Sequence, residues 1–104
     1  MYCTIRRYEA TDQNRTSEIV KKVDETLLPS LSTMPGFKAY DLVEAGHGVF
    51  TSVSFFDTPA QAEESARFVK AWVTEQKLEK ALPNAPKVTS GEIVAHKSRE
   101  LASV

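Results

Sequence analysis

Residues 34 to 65 constrain the fold most, because a chain breaker, two strand-forming runs and a helix start follow one another there without a gap. Pro35-Gly36 is a breaker pair, and the run Phe37–Glu44 is rich in residues that suit a pleated strand. The glycines of Ala45-Gly46-His47-Gly48 supply the positive φ angles that a hairpin turn needs. Val49–Phe56 is a second run of β-branched and aromatic residues. This pattern predicts a β-hairpin.

The hairpin is followed directly by a helix-start signature. Thr58 occupies the N-cap position, Pro59 the first helical position, and Gln61 lies three residues after the cap. We expect a helix from Pro59 to about Gln76 with a broad apolar face, wider than the roughly 100° that one core contact requires. Its two adjacent stripes are Ala62, Ala66, Val69 and Val73, and Ser65, Phe68 and Trp72. The second stripe predicts a contact beyond the helix's own sheet.

The flanking segments supply the remaining elements. Met1–Tyr8 alternates like a strand, and a helix is expected to begin between Glu9 and Ser17. The apolar stripe of that helix is Ile19, Val23, Leu27 and Leu31. Pro29 should interrupt it, because proline cannot donate to the carbonyl of the residue four positions earlier. Lys87–Lys97 is predicted to be the last strand.

The order strand, helix, strand, strand, helix, strand predicts an α+β chain with the ferredoxin-like βαββαβ arrangement. Right-handed crossovers place both helices on one face of a four-stranded antiparallel sheet. We expect one domain over residues 1–104, with 98–104 as a C-terminal tail.

The second face of such a sheet has no layer of its own. We expect it to carry aromatic and hydroxyl side chains that are too apolar for a plain solvent surface. They are Tyr2, Thr4, Tyr8, Phe50, Ser52, Ser54 and Phe56. The simplest cover is a second copy of the chain, so the prediction is a homodimer whose two sheets face each other as a dimeric α+β barrel. Phe50→Arg is then expected to disrupt the dimer.

Bulk composition argues against several classes of protein. A formal net charge of −1 offers no broad cation for a nucleic-acid backbone. No apolar run approaches the roughly 18 residues that a membrane helix needs, and the first ten residues lack the pattern of a secretory signal. The single cysteine, Cys3, cannot form an internal disulfide and is expected to behave as a small buried hydrophobe. A cytoplasmic protein is therefore expected.

Four sets of residues resemble those of a known family. They are Pro35-Gly36-Phe37 with Tyr40 and Leu42, Val53-Ser54-Phe55-Phe56-Asp57, Trp72, and Ser90-Gly91-Glu92-Ile93-Val94. From Met1 to about Lys97 the chain resembles the antibiotic biosynthesis monooxygenase (ABM) domain family of the dimeric α+β barrel superfamily. The resemblance implies a homodimer with a pocket in each protomer. Some members of that family oxidise polycyclic aromatic or quinol substrates with molecular oxygen and need no metal or flavin.

A related branch of the superfamily degrades haem and holds the iron with a histidine on the second helix. Residues 59–82 contain no histidine, cysteine, methionine or tyrosine, so a haem cofactor is not expected. His47 and His96 are too few and too far apart in sequence to indicate a metal site, and His47 reads as a solvated turn residue. We expect no cofactor and no metal.

Arg6 and His96 are the candidate catalytic residues. Strands one and four are neighbours in the expected sheet, so Arg6 is predicted to lie near Glu92, with His96 close by. A cofactor-free oxygenase needs a base, or a donor that stabilises a substrate phenolate, before oxygen reacts. The alternative is a structural ion pair and an edge histidine.

Tyr8, Tyr40 and Trp72 are the candidate substrate-binding residues. Aromatic rings suit the wall of a pocket, and the Trp72 indole N–H is a candidate donor to a substrate oxygen. The alternatives are core packing for Tyr40 and helix or dimer packing for Trp72. Two functions therefore stand open: a cofactor-independent monooxygenase acting on a small electron-rich aromatic or quinol, and a non-catalytic homodimer that binds a small ligand or serves as a stress-related module.

Overall fold

Four antiparallel strands form one sheet in the order β2-β3-β1-β4, in a computed structural model that describes residues 1–99. The strands are β1 Tyr2–Tyr8, β2 Phe37–Gly46, β3 Val49–Phe56 and β4 Lys87–Glu92. One helical arm connects β1 to β2 and one long helix connects β3 to β4. This is the ferredoxin-like arrangement that the sequence predicts.

The hairpin between β2 and β3 forms as predicted. Gly46, His47 and Gly48 all have positive φ, at 80°, 53° and 75°, and His47 is exposed. A positive φ carries little steric cost for glycine, so the two glycines allow the chain to reverse within a few residues. The hairpin brings Phe37 opposite Phe56, whose rings meet edge to face at 5.7 Å between centroids.

The second connection is α3, Pro59–Glu75, and it begins with the predicted capping box. The Gln61 backbone N–H donates to Thr58 Oγ1 at 3.2 Å, and the Thr58 N–H donates to Gln61 Oε1 at 3.1 Å. The Gln61 side chain also lies against Gly36, where a Cβ atom would overlap its amide and where φ is +78°. A glycine in the turn before β2 therefore makes room for the cap of α3.

The first connection is a helical arm of four unequal pieces. A 3₁₀ turn, Gln13–Arg15, leads into α1, Thr16–Lys22, a π-helical segment, Val23–Leu27, and a short α2, Leu28–Leu31. The interruption that Pro29 predicts is present, because Pro29 has no N–H for the Glu25 carbonyl. The Leu28 N–H instead reaches back five residues to the Val23 carbonyl, which is the wider π spacing.

The helices cover the sheet face that we expected to be open. Thr4, Arg6, Phe50, Ser52, Ser54 and Phe56 are all at most 7% exposed, so they lie beneath the helices within one protomer. Phe50 belongs to the main core with Ile19, Leu27, Val69 and Trp72. The assignment of these side chains to an uncovered face was wrong, and Phe50→Arg would place a charge in the core of the protomer.

The uncovered face carries the alternate residues of the same strands. Cys3 lies opposite Phe55 and Ile5 opposite Val53, with Val43 and Ala39 alongside on β2. Ile5 is 37% exposed and Val43 49%, and Cys3 is half-buried rather than buried. These six residues form an apolar patch on the uncovered face, and the charged residues Arg7, Asp41 and Lys87 lie on the same face.

Strand β4 is shorter than predicted, and its register separates two residues that we expected to pair. It ends at Glu92, because Glu92 already lies opposite Tyr2, the first residue of β1. Arg6 lies opposite Val88, four residues from Glu92, so the predicted approach of Arg6 to Glu92 is wrong. The Glu92 carboxylate instead lies 3.5 Å from the N-terminal amine.

Residues 93–99 have no regular secondary structure, so His96 does not end the last strand. In the predicted tail, residues 98 and 99 are exposed and have no regular secondary structure, and 100–104 lie outside the described part of the chain. Within residues 1–99, no helix is both long enough and apolar enough to cross a membrane.

Thr58→Ala is expected to lower the free energy of unfolding by about 1 kcal/mol, because the Gln61 N–H loses its acceptor at the start of α3. Urea denaturation measures the change. Ser17→Ala, at an exposed position of α1, is the control and should change the value by less than about 0.5 kcal/mol. Equal stability of the Thr58 variant and the wild type would show that the cap contributes nothing.

Candidate functional site

A cleft of about 480 Å³ opens between α3, β1, the start of β4 and the loop that joins α3 to β4. Its walls are largely apolar, and polar groups project from β1, from α3 and from the loop after α3. Arg6 and Tyr8 come from β1, and Lys70 and Thr74 come from α3. The remaining lining residues are Ala66, Val69, Val73, Glu79, Leu82, Pro83, Asn84, Ala85, Pro86 and Val88. An apolar pocket with a few convergent polar groups is the usual form of a small-molecule site.

Arg6 is the least expected of these residues because it is only 7% exposed. It projects from the middle of β1 between Ser52 and Val88, on the face covered by α3. None of the ion pairs among residues 1–99 places a carboxylate within 4.0 Å of its guanidinium. A guanidinium is positively charged at neutral pH, so Arg6 gives the cleft wall a positive charge that has no carboxylate of residues 1–99 within 4.0 Å.

Two tyrosines accompany Arg6, and both are held in the neutral form. Burial raises the pKa of Tyr8, while the nearby Arg6 charge partly opposes that rise. Burial raises the pKa of Tyr40 to about 12, against a hydrogen bond with Ser52 that lowers it. A neutral phenol is a hydrogen-bond donor and not a base at neutral pH. These tyrosines can therefore donate to an oxygen but cannot accept its proton.

A second, much smaller void of about 30 Å³ lies behind the cleft, and Tyr8, Val69, Val73 and Leu82 line both spaces. Tyr40 and Trp72 line only the inner void. The Trp72 indole N–H donates to Thr26 Oγ1 at 2.8 Å, in the π segment, so it is already satisfied. Trp72 is also only 6% exposed. Of the three residues in the predicted second stripe, only Phe68 is exposed, at 36%.

The structure brings together four of the five predicted site residues. Arg6 and Tyr8 line the cleft, and Tyr40 and Trp72 lie behind it. His96 is exposed four residues beyond the end of β4, in the irregular segment.

Sequence reasoning missed Lys70, Glu79 and Asn84, which reach the cleft from α3 and from the loop after it. Lys70 lies outside the two apolar stripes predicted for α3, and the prolines at 83 and 86 were the one signal that this loop has a fixed shape. No cluster of three or more metal-ligating side chains occurs in residues 1–99.

Solved structures of other proteins have the same fold. An antibiotic biosynthesis monooxygenase superposes with a TM-score of 0.70 at 17% identity, covering 91% of this chain and 100% of that one. A monooxygenase from the gene ActVA-Orf6 of Streptomyces coelicolor, solved with the ligand nanaomycin D, gives 0.74 at 8% identity over 95% and 92%. This chain has an ABM-like fold.

A dimeric ferredoxin-like protein from an uncultured marine organism also superposes on the ABM-like fold, with a TM-score of 0.71 at 16% identity over 95% of this chain and 92% of that one. No protein-family model and no curated protein matches the sequence. At such low identity the likeness concerns the path of the backbone and does not extend to the reaction.

The Tyr40 phenol should ionise near pH 12 in the folded protein, against an ordinary value of 10.0. Because the folded state favours the neutral phenol, its contribution to stability is complete below pH 10 and is lost as the pH rises towards 12. Ultraviolet absorbance of tyrosinate follows the ionisation, and urea denaturation at several alkaline pH values follows the stability. Tyr40→Phe should reduce the loss of stability that occurs as the pH rises from 10 towards 12. An unchanged pH dependence in that variant would contradict the assignment.

Trp72→Phe should lower the free energy of unfolding by about 1 kcal/mol, because the part-buried hydrogen bond from the indole N–H to Thr26 Oγ1 is lost. Combining it with Thr26→Val should cost less than the sum of the two single changes, since both remove one hydrogen bond. Urea denaturation of the four proteins gives the coupling. Strict additivity would mean that the bond makes no net contribution.

Proposed function

We propose that the protein is a cofactor-independent monooxygenase that oxidises a small electron-rich aromatic or quinol with molecular oxygen. The observation that carries the proposal is the cleft of about 480 Å³ on an ABM-like fold, with apolar walls and the Arg6 and Tyr8 side chains directed into it. The nanaomycin D bound to the Streptomyces coelicolor monooxygenase supports an aromatic ligand class for this fold.

The reaction needs only the substrate and oxygen. A phenol with a ring C–H para to its hydroxyl gives up its hydroxyl proton and that hydrogen, and it takes one oxygen atom at the ring carbon. The product is the quinone, and the second oxygen atom leaves as water with the two hydrogens. Four electrons leave the bonds of the substrate and dioxygen accepts all four, so no external reductant is required.

The cleft residues stabilise the electron-rich form of such a substrate. The Arg6 guanidinium pairs with the phenolate oxygen, and the neutral Tyr8 hydroxyl donates to the same region. The apolar side chains of Val69 and Val73 pack against the ring and exclude water. Tyr40 and Trp72 act from behind this wall, where they fix the position of the lining. His96 has no role in this scheme.

We also propose that the protein works as a homodimer joined through the uncovered face. Exposed apolar area of this kind, with Ile5 at 37% and Val43 at 49%, is typical of an interaction surface. The dimeric ferredoxin-like protein of similar structure supports this assembly. Such an interface should bury more than about 1,000 Å² and meet itself across a two-fold axis.

Oxygen uptake tests the reaction. A panel of hydroxylated naphthacenes and quinols is offered to the purified protein, and an oxygen electrode measures consumption above the uncatalysed rate. Arg6→Gln should lower the catalysed rate about 100-fold, in the range found for loss of one oxyanion donor. If compounds bind but none is oxidised, the alternative of a non-catalytic ligand-binding dimer replaces this proposal.

Val53→Arg tests the dimer, because Val53 lies opposite Ile5 at the centre of the uncovered face. The variant should sediment as a monomer at micromolar concentration, where the wild type sediments at twice the monomer mass. Val20→Arg, at a 43% exposed position of α1, carries the same change elsewhere and should leave the dimer intact. A wild type that sediments at the monomer mass would refute the dimer outright.

A further inference from the structure

A second cleft, of about 630 Å³, lies between the helical arm and the edge of the sheet. This arm cleft is bounded by residues 16–28 of the arm on one side and by Leu42, Glu44 and Phe50 of β2 and β3 on the other. No residue lines both the arm cleft and the cleft that contains Arg6, so the proposed function makes no use of it. A volume of this size is usual for a small-molecule site.

The floor of the arm cleft is apolar. Val20 of α1 is 43% exposed there, and Leu28 of α2 is half-buried against the core. Side chains alternate along a strand, so Leu42 and Glu44 both point from β2 to the helix side, where Glu44 lies opposite Phe50. The arm buries Phe50 but leaves Leu42 half-open. The hydrocarbon part of a ligand can therefore pack between the arm and β2.

Carboxylates stand on both sides of this apolar floor. Asp24 and Glu25 belong to the arm and Glu44 to β2, and all three residues are exposed. Among residues 1–99, no basic group lies within 4.0 Å of any of the three carboxylates. Lys21 is the one cation of the lining, and it has no carboxylate of residues 1–99 within that distance. With three carboxylates and one ammonium group, the lining carries a formal charge of −2.

This combination favours an organic cation over a metal ion. In the part of the chain that the structure describes, no three metal-ligating side chains come together, so these carboxylates do not form the coordination shell that a metal needs. Placed around an apolar floor, they instead attract a positive charge that is carried on an apolar body. An ammonium group has three N–H donors for such carboxylates.

We infer that the arm cleft binds a small lipophilic amine, whose ammonium group lies among Asp24, Glu25 and Glu44 and whose hydrocarbon part covers Val20 and Leu42. The site is separate from the cleft of the proposed monooxygenase, so it stands whether or not that reaction occurs. The amine occupies the helix side of the sheet, and the dimer proposed through the uncovered face leaves that side open.

Isothermal titration calorimetry of the full chain with three matched probes tests the inference. The probes are 4-phenylbutylamine, 4-phenylbutanol and 4-phenylbutyrate, which share one apolar body and are positive, neutral and negative at neutral pH. The amine should bind about fivefold more tightly than the alcohol, as expected when exposed carboxylates act together on one cation. The butyrate should bind most weakly. Equal affinities of the three probes, or no binding of the amine, would overturn the inference.

Two double variants locate the effect. Asp24→Asn with Glu44→Gln should remove most of the preference for the amine and leave the affinity for the alcohol unchanged. Glu63→Gln with Glu75→Gln removes the same charge from exposed positions of α3 that do not line the arm cleft, and it should preserve the preference. An equal loss in both double variants would overturn the inference, because net charge and not the cleft would then attract the amine.

Lys21 provides a test in the opposite direction. Lys21→Gln should strengthen binding of the amine about twofold and leave the alcohol unchanged, because it removes the one positive charge of the lining. Raising the salt concentration from about 0.02 M to about 0.5 M should reduce the preference in the wild type, since salt screens exposed charges. Weaker binding of the amine by the Lys21 variant, or a preference that does not depend on salt, would contradict the assignment.

A second copy of the chain is the competing occupant of the arm cleft. Val20→Arg decides between the two, because it places a positive charge on the apolar floor. This variant should lose binding of the amine and keep the oligomeric state of the wild type in sedimentation. Dissociation of a wild-type dimer by Val20→Arg would show that a second copy fills the cleft, and it would overturn the inference.

Discussion

The antiparallel pairing of β1 between β3 and β4 is the constraint on which the rest of the structure depends. It places Arg6 between Ser52 and Val88 on the helix side and Ile5 opposite Val53 on the other. Because side chains alternate along a strand, a slip of one residue would put Ile5 in the cleft and Arg6 on the uncovered face. One register therefore determines both the charge of the cleft and the apolar character of the opposite surface.

Local signals in the sequence were sufficient to predict the elements and their order. The glycines around His47 and the pair Thr58 and Gln61 act within a few residues, so their consequences can be read without knowledge of the fold. The same holds for Pro29, whose missing N–H perturbs the helix wherever that helix packs. These features were predicted from the sequence and are present in the structure.

The choice of covered face could not be predicted in this way. Both sets of alternate residues on β1 and β3 contain apolar side chains: Cys3, Ile5, Val53 and Phe55 on one side, and Tyr8, Phe50 and Phe56 on the other. A hydrophobic pattern that is weak on both faces does not say which one a helix will cover. Packing determines which face is covered, because the small residues Ala62 and Ser65 of α3 are buried against the sheet. The cleft residues of the loop after α3 were missed for a similar reason, since a loop has no periodicity that indicates where its side chains point.

The π segment links the arm to the site. Its wider turn presents Thr26 to the Trp72 indole at 2.8 Å, while Thr26 itself donates to the Lys22 carbonyl at 2.6 Å. In a regular α-helix the side chains after Val23 would point in different directions. The contact between Thr26 and Trp72 would then not form at the same place. The irregularity that Pro29 imposes is thus used to fix the aromatic wall behind the cleft.

The contact between Gly36 and Gln61 has a consequence for how this sequence can change over generations. An alanine at position 36 is excluded while Gln61 holds its capping position, but a shorter residue at 61 would remove much of that obstruction. The order of two substitutions then matters, since the change at 61 made first only weakens one cap, whereas the change at 36 made first also displaces the Gln61 side chain. The backbone strain of an alanine at φ +78° is the same in either order. The two positions, 25 residues apart in sequence, are expected to vary together among descendants of this chain.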